Sequence, residues 1–141
     1  MLCLPYNLLL LEDDRDDEEL ALRALRESGL PLCVRVARDG ACALRVLGLA
    51  EAPIATRAPD LVLSDYKMPM VDGPDVLRRM REDDRLRSIP FVVLSSSDET
   101  AGIERCLALG ASAYHIKPVD FDGYFACVRE IPRRWLDRHD G

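Results

Sequence analysis

Five short apolar runs alternating with five helical patterns constrain this chain more than any other feature. The runs span residues 8–11, 32–37, 61–64, 91–95 and 113–116. A run this short and apolar nearly throughout reads as a strand buried on both faces. The segments between them repeat apolar residues at helical spacing. Residues 16–28 carry Leu20, Ala21, Ala24 and Leu25 on one stripe, with acids in the first turn and Gly29 past the end. Residues 41–50 give a second helix, and a loop at 51–59 holds two prolines. Residues 74–82 start at Pro74 and bury Val76, Leu77 and Met80. Residues 100–109 close at Gly110, and a last helix runs from Phe121 toward Trp135. The alternation predicts an α/β fold: a doubly wound, five-stranded parallel sheet with helices on both faces. The second strand, which brings no chemistry, belongs at an edge. Pro132 removes a donor inside the last helix, so that helix is expected to kink or end near Glu130, with a new turn starting at Pro132.

In such a sheet the chemistry collects at the carboxyl ends of the strands. The first run ends in Glu12-Asp13-Asp14, the third in Asp65, the fourth in Ser95 and the fifth in Lys117-Pro118. Each residue alone has a plain reading: a cap, solvated charge, a loop serine, a surface lysine. Their joint placement on one rim is harder to dismiss. Clustered carboxylates repel unless a cation relieves them, and hard oxygen ligands suit Mg²⁺, or Mn²⁺ in its place. Of 19 lysines and arginines, only Lys67 and Lys117 are lysines. A chain that otherwise uses arginine has put a compact ammonium at this rim, which suits a small anion better than a rigid guanidinium fork. Carboxylate nucleophile, metal site, hydroxyl and lysine together are what phosphoryl transfer onto an aspartate needs.

Composition narrows the classes further. A formal net charge of -6 disfavours a broad nucleic-acid or anionic-membrane surface. No run reaches membrane-spanning length. The apolar amino terminus lacks a basic leader and is interrupted by Pro5 and Asn7, so it reads as a core strand rather than a signal peptide. Five cysteines without close pairing read as reduced, mostly core thiols of a cytoplasmic protein.

The segments LLLLEDD (8–14), PDLVLSDYKMPMVDG (59–73), IPFVVLSSSD (89–98) and LGASAYHIKPVDF (109–121) resemble the receiver domain of two-component response regulators, a flavodoxin-like fold. The resemblance implies that Glu12 and Asp13 are the acidic pair of a metal site, Asp13 binding directly and Glu12 through water. It makes Asp65 the phosphoacceptor and a metal ligand, joined by the backbone carbonyl of Lys67. It makes Ser95 the hydroxyl that turns to the phosphoryl group, Lys117 the lysine that contacts it, and Tyr114 the aromatic switch moving with Ser95. Pro118 is implied to follow a cis bond. Asp14 has no metal role in that pattern and reads as flanking charge. His115 alternates along a strand and reads as satisfied packing. Ser64 stands where the family often has leucine or isoleucine, a mild departure.

The resulting expectation is a receiver domain over 7–131 and a short tail over 132–141 without an output domain. It takes a phosphoryl group from a sensor histidine kinase or a phosphotransfer protein onto Asp65 and signals through protein contacts with a downstream protein. It assists its own phosphorylation and slow dephosphorylation without being a metabolic enzyme. Segment 86–99 and the tail also resemble stand-alone receivers associated with bacterial phytochromes. Trp135, beside Arg133 and Arg134, is a candidate contact for a homodimer, against folding back onto its own domain. Two rival readings are a docking module independent of phosphorylation and a phosphatase with an aspartyl intermediate. The second wants an acid at position 67, where the chain has lysine.

Overall fold

The computed structural model describes residues 5–51 and 57–136. Cys3, part of the two-proline loop and the end of the expected tail lie outside the described residues. Strands and helices alternate as β1 (Tyr6–Leu11), α1 (Arg15–Arg26), β2 (Leu32–Ala37), α2 (Gly40–Val46), β3 (Leu61–Ser64), α3 (Gly73–Arg81), β4 (Phe91–Ser95), α4 (Thr100–Ala108), β5 (Ala113–Ile116) and α5 (Phe121–Leu136). The strands pair in parallel in the order β2-β1-β3-β4-β5, with β2 at the expected edge.

Successive strand residues point to opposite faces, and both faces are covered. Leu8, Leu10, Leu61, Leu63, Val92 and Leu94 pack with Ala21, Ala24 and Leu25 of α1 and with Tyr124, Val128 and Ile131 of α5. Leu9, Leu11, Val62, Phe91 and Val93 face the other way, onto Ala43 of α2, Val76, Leu77 and Met80 of α3 and Cys106 of α4. Each such large side chain contributes roughly 1.5–3 kcal/mol when fully buried. That is why the apolar runs could be read as central strands.

Local signals set the helix ends. The Asp14 side chain caps α1 by accepting from the Asp17 N–H, which gives the flanking acid a structural role. Asp72 and Asp75 form a reciprocal capping box at the start of α3. α2 stops at Val46, short of the expected residue 50, because Gly48 turns left-handed (φ 75°) and the Leu49 N–H folds back to the Leu44 carbonyl at 2.7 Å.

Three expectations need correction. α5 does not end near Glu130; it runs to Leu136 with Pro132 inside it. Ile131, Pro132 and Leu136 are all buried, so continued burial of the apolar stripe outweighs the donor that proline removes. Trp135 is half-buried against the α1–α5 core rather than presented to solvent, with the Arg134 guanidinium 5.7 Å from its ring centroid. Among the described residues no peptide bond is cis, so Lys117–Pro118 is trans, the isomer ordinarily lower in energy. The four described cysteines are free, as read, but only Cys106 is fully buried and Cys33 is exposed. Burial pushes the Cys106 thiol up to about 11.

Candidate functional site at the strand ends

Four parallel strands deliver their last residues to one rim. Glu12 leaves β1 with its N–H on the Ala37 carbonyl (3.1 Å) and its side chain turned inward, only 3% exposed. Its Oε2 accepts from the Asp14 N–H at 3.2 Å. Asp13 stands exposed beside it. Asp65 leaves β3 with its N–H on the Leu11 carbonyl (2.9 Å), and its Oδ1 accepts from the Tyr66 N–H at 2.8 Å. Glu12, Asp13 and Asp65 each bring a carboxylate oxygen into one group, all within 4.8 Å of one another.

The backbone of Asp65 is fixed from behind. Ser64, fully buried, donates its hydroxyl to the Asp65 carbonyl at 2.6 Å. A Cβ on Gly73 would fall 2.4 Å from that same carbonyl, so this close approach requires glycine.

Lys117 closes the site. Its N–H donates to the Ser95 carbonyl at 2.7 Å, which ties β5 to the end of β4. Its Nζ lies 2.9 Å from Asp17 Oδ2 and 3.5 Å from both Glu12 Oε1 and Asp65 Oδ2. One compact ammonium thus reaches carboxylates from α1, β1 and β3. Burial pulls the Lys117 pKa down, but the Asp17 hydrogen bond and the charges of Asp65 and Glu12 outweigh it and leave it above its ordinary value. Burial raises the Glu12 carboxyl to about 7, with Lys117 opposing and Asp65 adding to the rise. Burial raises Asp65 as well, against Lys117 and the Tyr66 N–H. Three carboxylates meet a single ammonium here, so the rim holds more acidic groups than one lysine balances. Hard oxygen donors in that state fit a divalent cation.

Ser95, 4% exposed, accepts from the Ser97 N–H at 3.1 Å, and Tyr114 donates its hydroxyl to the Ser97 carbonyl at 2.8 Å. The Tyr66 ring meets Tyr114 edge-on, with centroids 6.5 Å apart. Asp65, Tyr66, Lys67, Ser95, Gly102 and Arg105 are among the residues lining a cavity of about 460 Å³.

The rim thus brings together Glu12, Asp13, Asp65 and Lys117, with Ser95 on the next strand end and Tyr114 linked to it through Ser97. Lys67 is exposed. His115 is a packing residue without satisfaction: its Nε2 is buried and has no hydrogen-bond partner among the described residues. Sequence reasoning missed Asp17. It read as one of several acids favouring a helix N-terminus, and its signal was its place in the first turn of a helix that starts at the rim.

The family profile for the response regulator receiver domain matches residues 8–129, and the chain belongs to that family. These domains are the receivers of two-component response regulators, signalling proteins that bind a divalent metal. The probable methanogenesis regulatory protein FilR2 of Methanothrix harundinacea is 36% identical over 94% of this chain and 84% of its own length. The Mn²⁺-bound response regulator Rcp1, known from Synechocystis, superposes with a TM-score of 0.88 at 28% identity, over 96% of this chain and 98% of that one. The phosphorylated cyanobacterial phytochrome response regulator RcpA superposes with a TM-score of 0.87 at 31% identity, over 97% and 98%. The chain spans only 54% and 55% of the length of two Arabidopsis thaliana response regulators that it also matches. Among the described residues no helix is long and apolar enough to cross a membrane.

Proposed function

We propose that Asp65 accepts a phosphoryl group from a phosphohistidine of a sensor histidine kinase or phosphotransfer protein. Mg²⁺, or Mn²⁺, would be held by Glu12, Asp13, Asp65 and the backbone carbonyl of Lys67, and would supply charge neutralisation at the phosphoryl oxygens. An Asp65 carboxylate oxygen attacks phosphorus, the P–N bond breaks, and the electron pair returns to the imidazole nitrogen. The product is an acyl phosphate, later hydrolysed slowly. Lys117 offers its ammonium to a phosphoryl oxygen, and the Ser95 hydroxyl turns from Ser97 to another. The observation that carries this reading is the Lys117 Nζ standing 3.5 Å from Asp65 Oδ2 beside the carboxylate group.

The protein acts as a signalling module of the cytoplasm that assists its own phosphorylation and dephosphorylation. Likeness to the phytochrome response regulator RcpA supports a photoreceptor-linked kinase as donor. The surface proposed for a downstream protein, or for a second copy of the chain, carries exposed Ile116, Val119 and Phe121. Direct nucleic-acid binding is not part of the reading, given the net charge of -6.

The test is intact mass after incubation with a small phosphodonor, with and without Mg²⁺, for the wild type and Asp65→Asn. One labile phosphoryl group on the wild type, dependent on the cation and missing from the variant, is expected. Equal labelling of both proteins would overturn the assignment.

A further inference from the structure

The shortest contact of Lys117 is not with either rim carboxylate but with Asp17. Nζ to Asp17 Oδ2 is 2.9 Å, against 3.5 Å to Glu12 and to Asp65. The backbone of Asp17 is pinned independently of its side chain. Its N–H donates to Asp14 Oδ1 at 2.9 Å, and its carbonyl accepts from the Tyr124 hydroxyl of α5 at 3.4 Å. The carboxylate is therefore not needed for the cap, yet it takes the best share of the ammonium.

We propose that Asp17 is a positioning residue that holds Lys117 in the resting state, and that Lys117 exchanges Asp17 for the phosphoryl group when Asp65 is modified. The proposal rests on the acceptor reading and names a partner for its lysine. Exposure explains why Asp17 is the partner given up. The side chain of Glu12 is 4% exposed and that of Asp65 is 16%, so neither can lose its cation to water at little cost. The side chain of Asp17 is 35% exposed and can be hydrated when released. An incoming phosphoryl group brings negative charge to the ammonium that Asp17 shares with Asp65, so the carboxylate opposes it twice: by repulsion across that ammonium and by occupying it.

A neutral amide at position 17 removes both effects. Asp17→Asn is expected to bind the phosphoryl mimic formed by beryllium and fluoride, with saturating Mg²⁺, roughly fivefold more tightly than the wild type, as for a screened, half-exposed charge. Asp16→Asn is the control: it removes a charge from the same exposed first turn, so any general helix-end or net-charge effect moves both variants alike. Asp17→Glu keeps the charge and should stay near the wild type.

A second readout does not depend on the mimic. With only two lysines in the chain, the ¹⁵Nζ ammonium spectrum of the apo protein assigns by inspection. Lys117 should shift in Asp17→Asn and stay put in Asp16→Asn. If Asp17→Asn binds the mimic no better than the wild type, or more weakly, or leaves the Lys117 ammonium unmoved, the proposal is overturned. A wild type that binds no mimic at all overturns the acceptor reading and this proposal with it; a wild type that binds, alongside an indifferent variant, overturns this proposal alone.

Discussion

Ser95 and Tyr114 hold the same residue from its two sides: Ser95 Oγ accepts the Ser97 N–H at 3.1 Å, and the Tyr114 hydroxyl donates to the Ser97 carbonyl at 2.8 Å. A hydroxyl that leaves Ser97 for a phosphoryl oxygen frees that N–H, and the loop it belongs to is the one that Tyr114 grips. Ser97, a single residue of the β4–α4 loop, thus takes a hydrogen bond from or to each side chain, and any coupling between them would pass through it. Removing the Tyr114 hydroxyl with Tyr114→Phe should cost about 1 kcal/mol of stability. It should leave phosphorylation of Asp65 nearly unchanged. Urea denaturation reads the first and the phosphodonor assay the second; amide shifts on adding the mimic should be reduced around Ser97.

Lys117 is the cation that three carboxylates share. Replacing it with methionine leaves Glu12, Asp17 and Asp65 uncompensated. Without divalent cation the Lys117→Met variant should lose about 2–3 kcal/mol, somewhat below the cost of breaking a fully buried pair because Asp17 is partly hydrated. Mg²⁺ should restore much of that loss. Lys117→Arg keeps the charge and should fold, yet its planar group does not fit the same small space, and its response to the phosphoryl mimic should fail. Denaturation midpoints with and without Mg²⁺ check the first statement, and amide shifts the second.

Glu12 predicts an unusual pH dependence for the metal-free protein. Its ordinary value is 4.5 and its folded value is about 7. Between these the folded protein holds a proton that the unfolded chain has released, so stability rises as pH falls from above 7 toward 4.5 and then gains no more from this group. Asp65, also raised by burial, acts with the same sign. His115 acts with the opposite sign, because burial, with Arg134 adding, lowers its pKa and its protonation below 6.5 favours the unfolded chain. Subtracting the profile of Glu12→Gln isolates Glu12. The difference should grow by about 3 kcal/mol as pH falls through this window, and Mg²⁺ should flatten it by keeping the carboxylate charged.

Met70 stands in the loop after Asp65 at a φ of 66° and is fully exposed. A side chain with a Cβ pays about 1–2 kcal/mol in that region, and asparagine tolerates it better. Met70→Asn loses no packing, so it should raise stability by about 0.5–1 kcal/mol. A denaturation midpoint that falls instead would mean that Met70 contributes something its exposure hides.

What the sequence by itself determined is the sheet and the chemistry along its rim. Apolar runs flanked by turn residues have one low-energy use, a buried strand, and the residue that ends each run must then stand at the rim. Glu12, Asp13, Asp65, Ser95 and Lys117 were legible for that reason. What only the tertiary structure decided depends on contacts between distant positions. Asp17 and Lys117 are 100 residues apart, and nothing local to either says that they meet. Pro132 reads locally as a helix breaker, but Ile131 and Leu136 on either side of it are buried against α1 and the sheet, and that non-local gain carries α5 past it. Trp135 is drawn onto the core by the same packing. A pattern reports which residues want burial or charge; which partner satisfies them is settled only when the chain has brought its faces together.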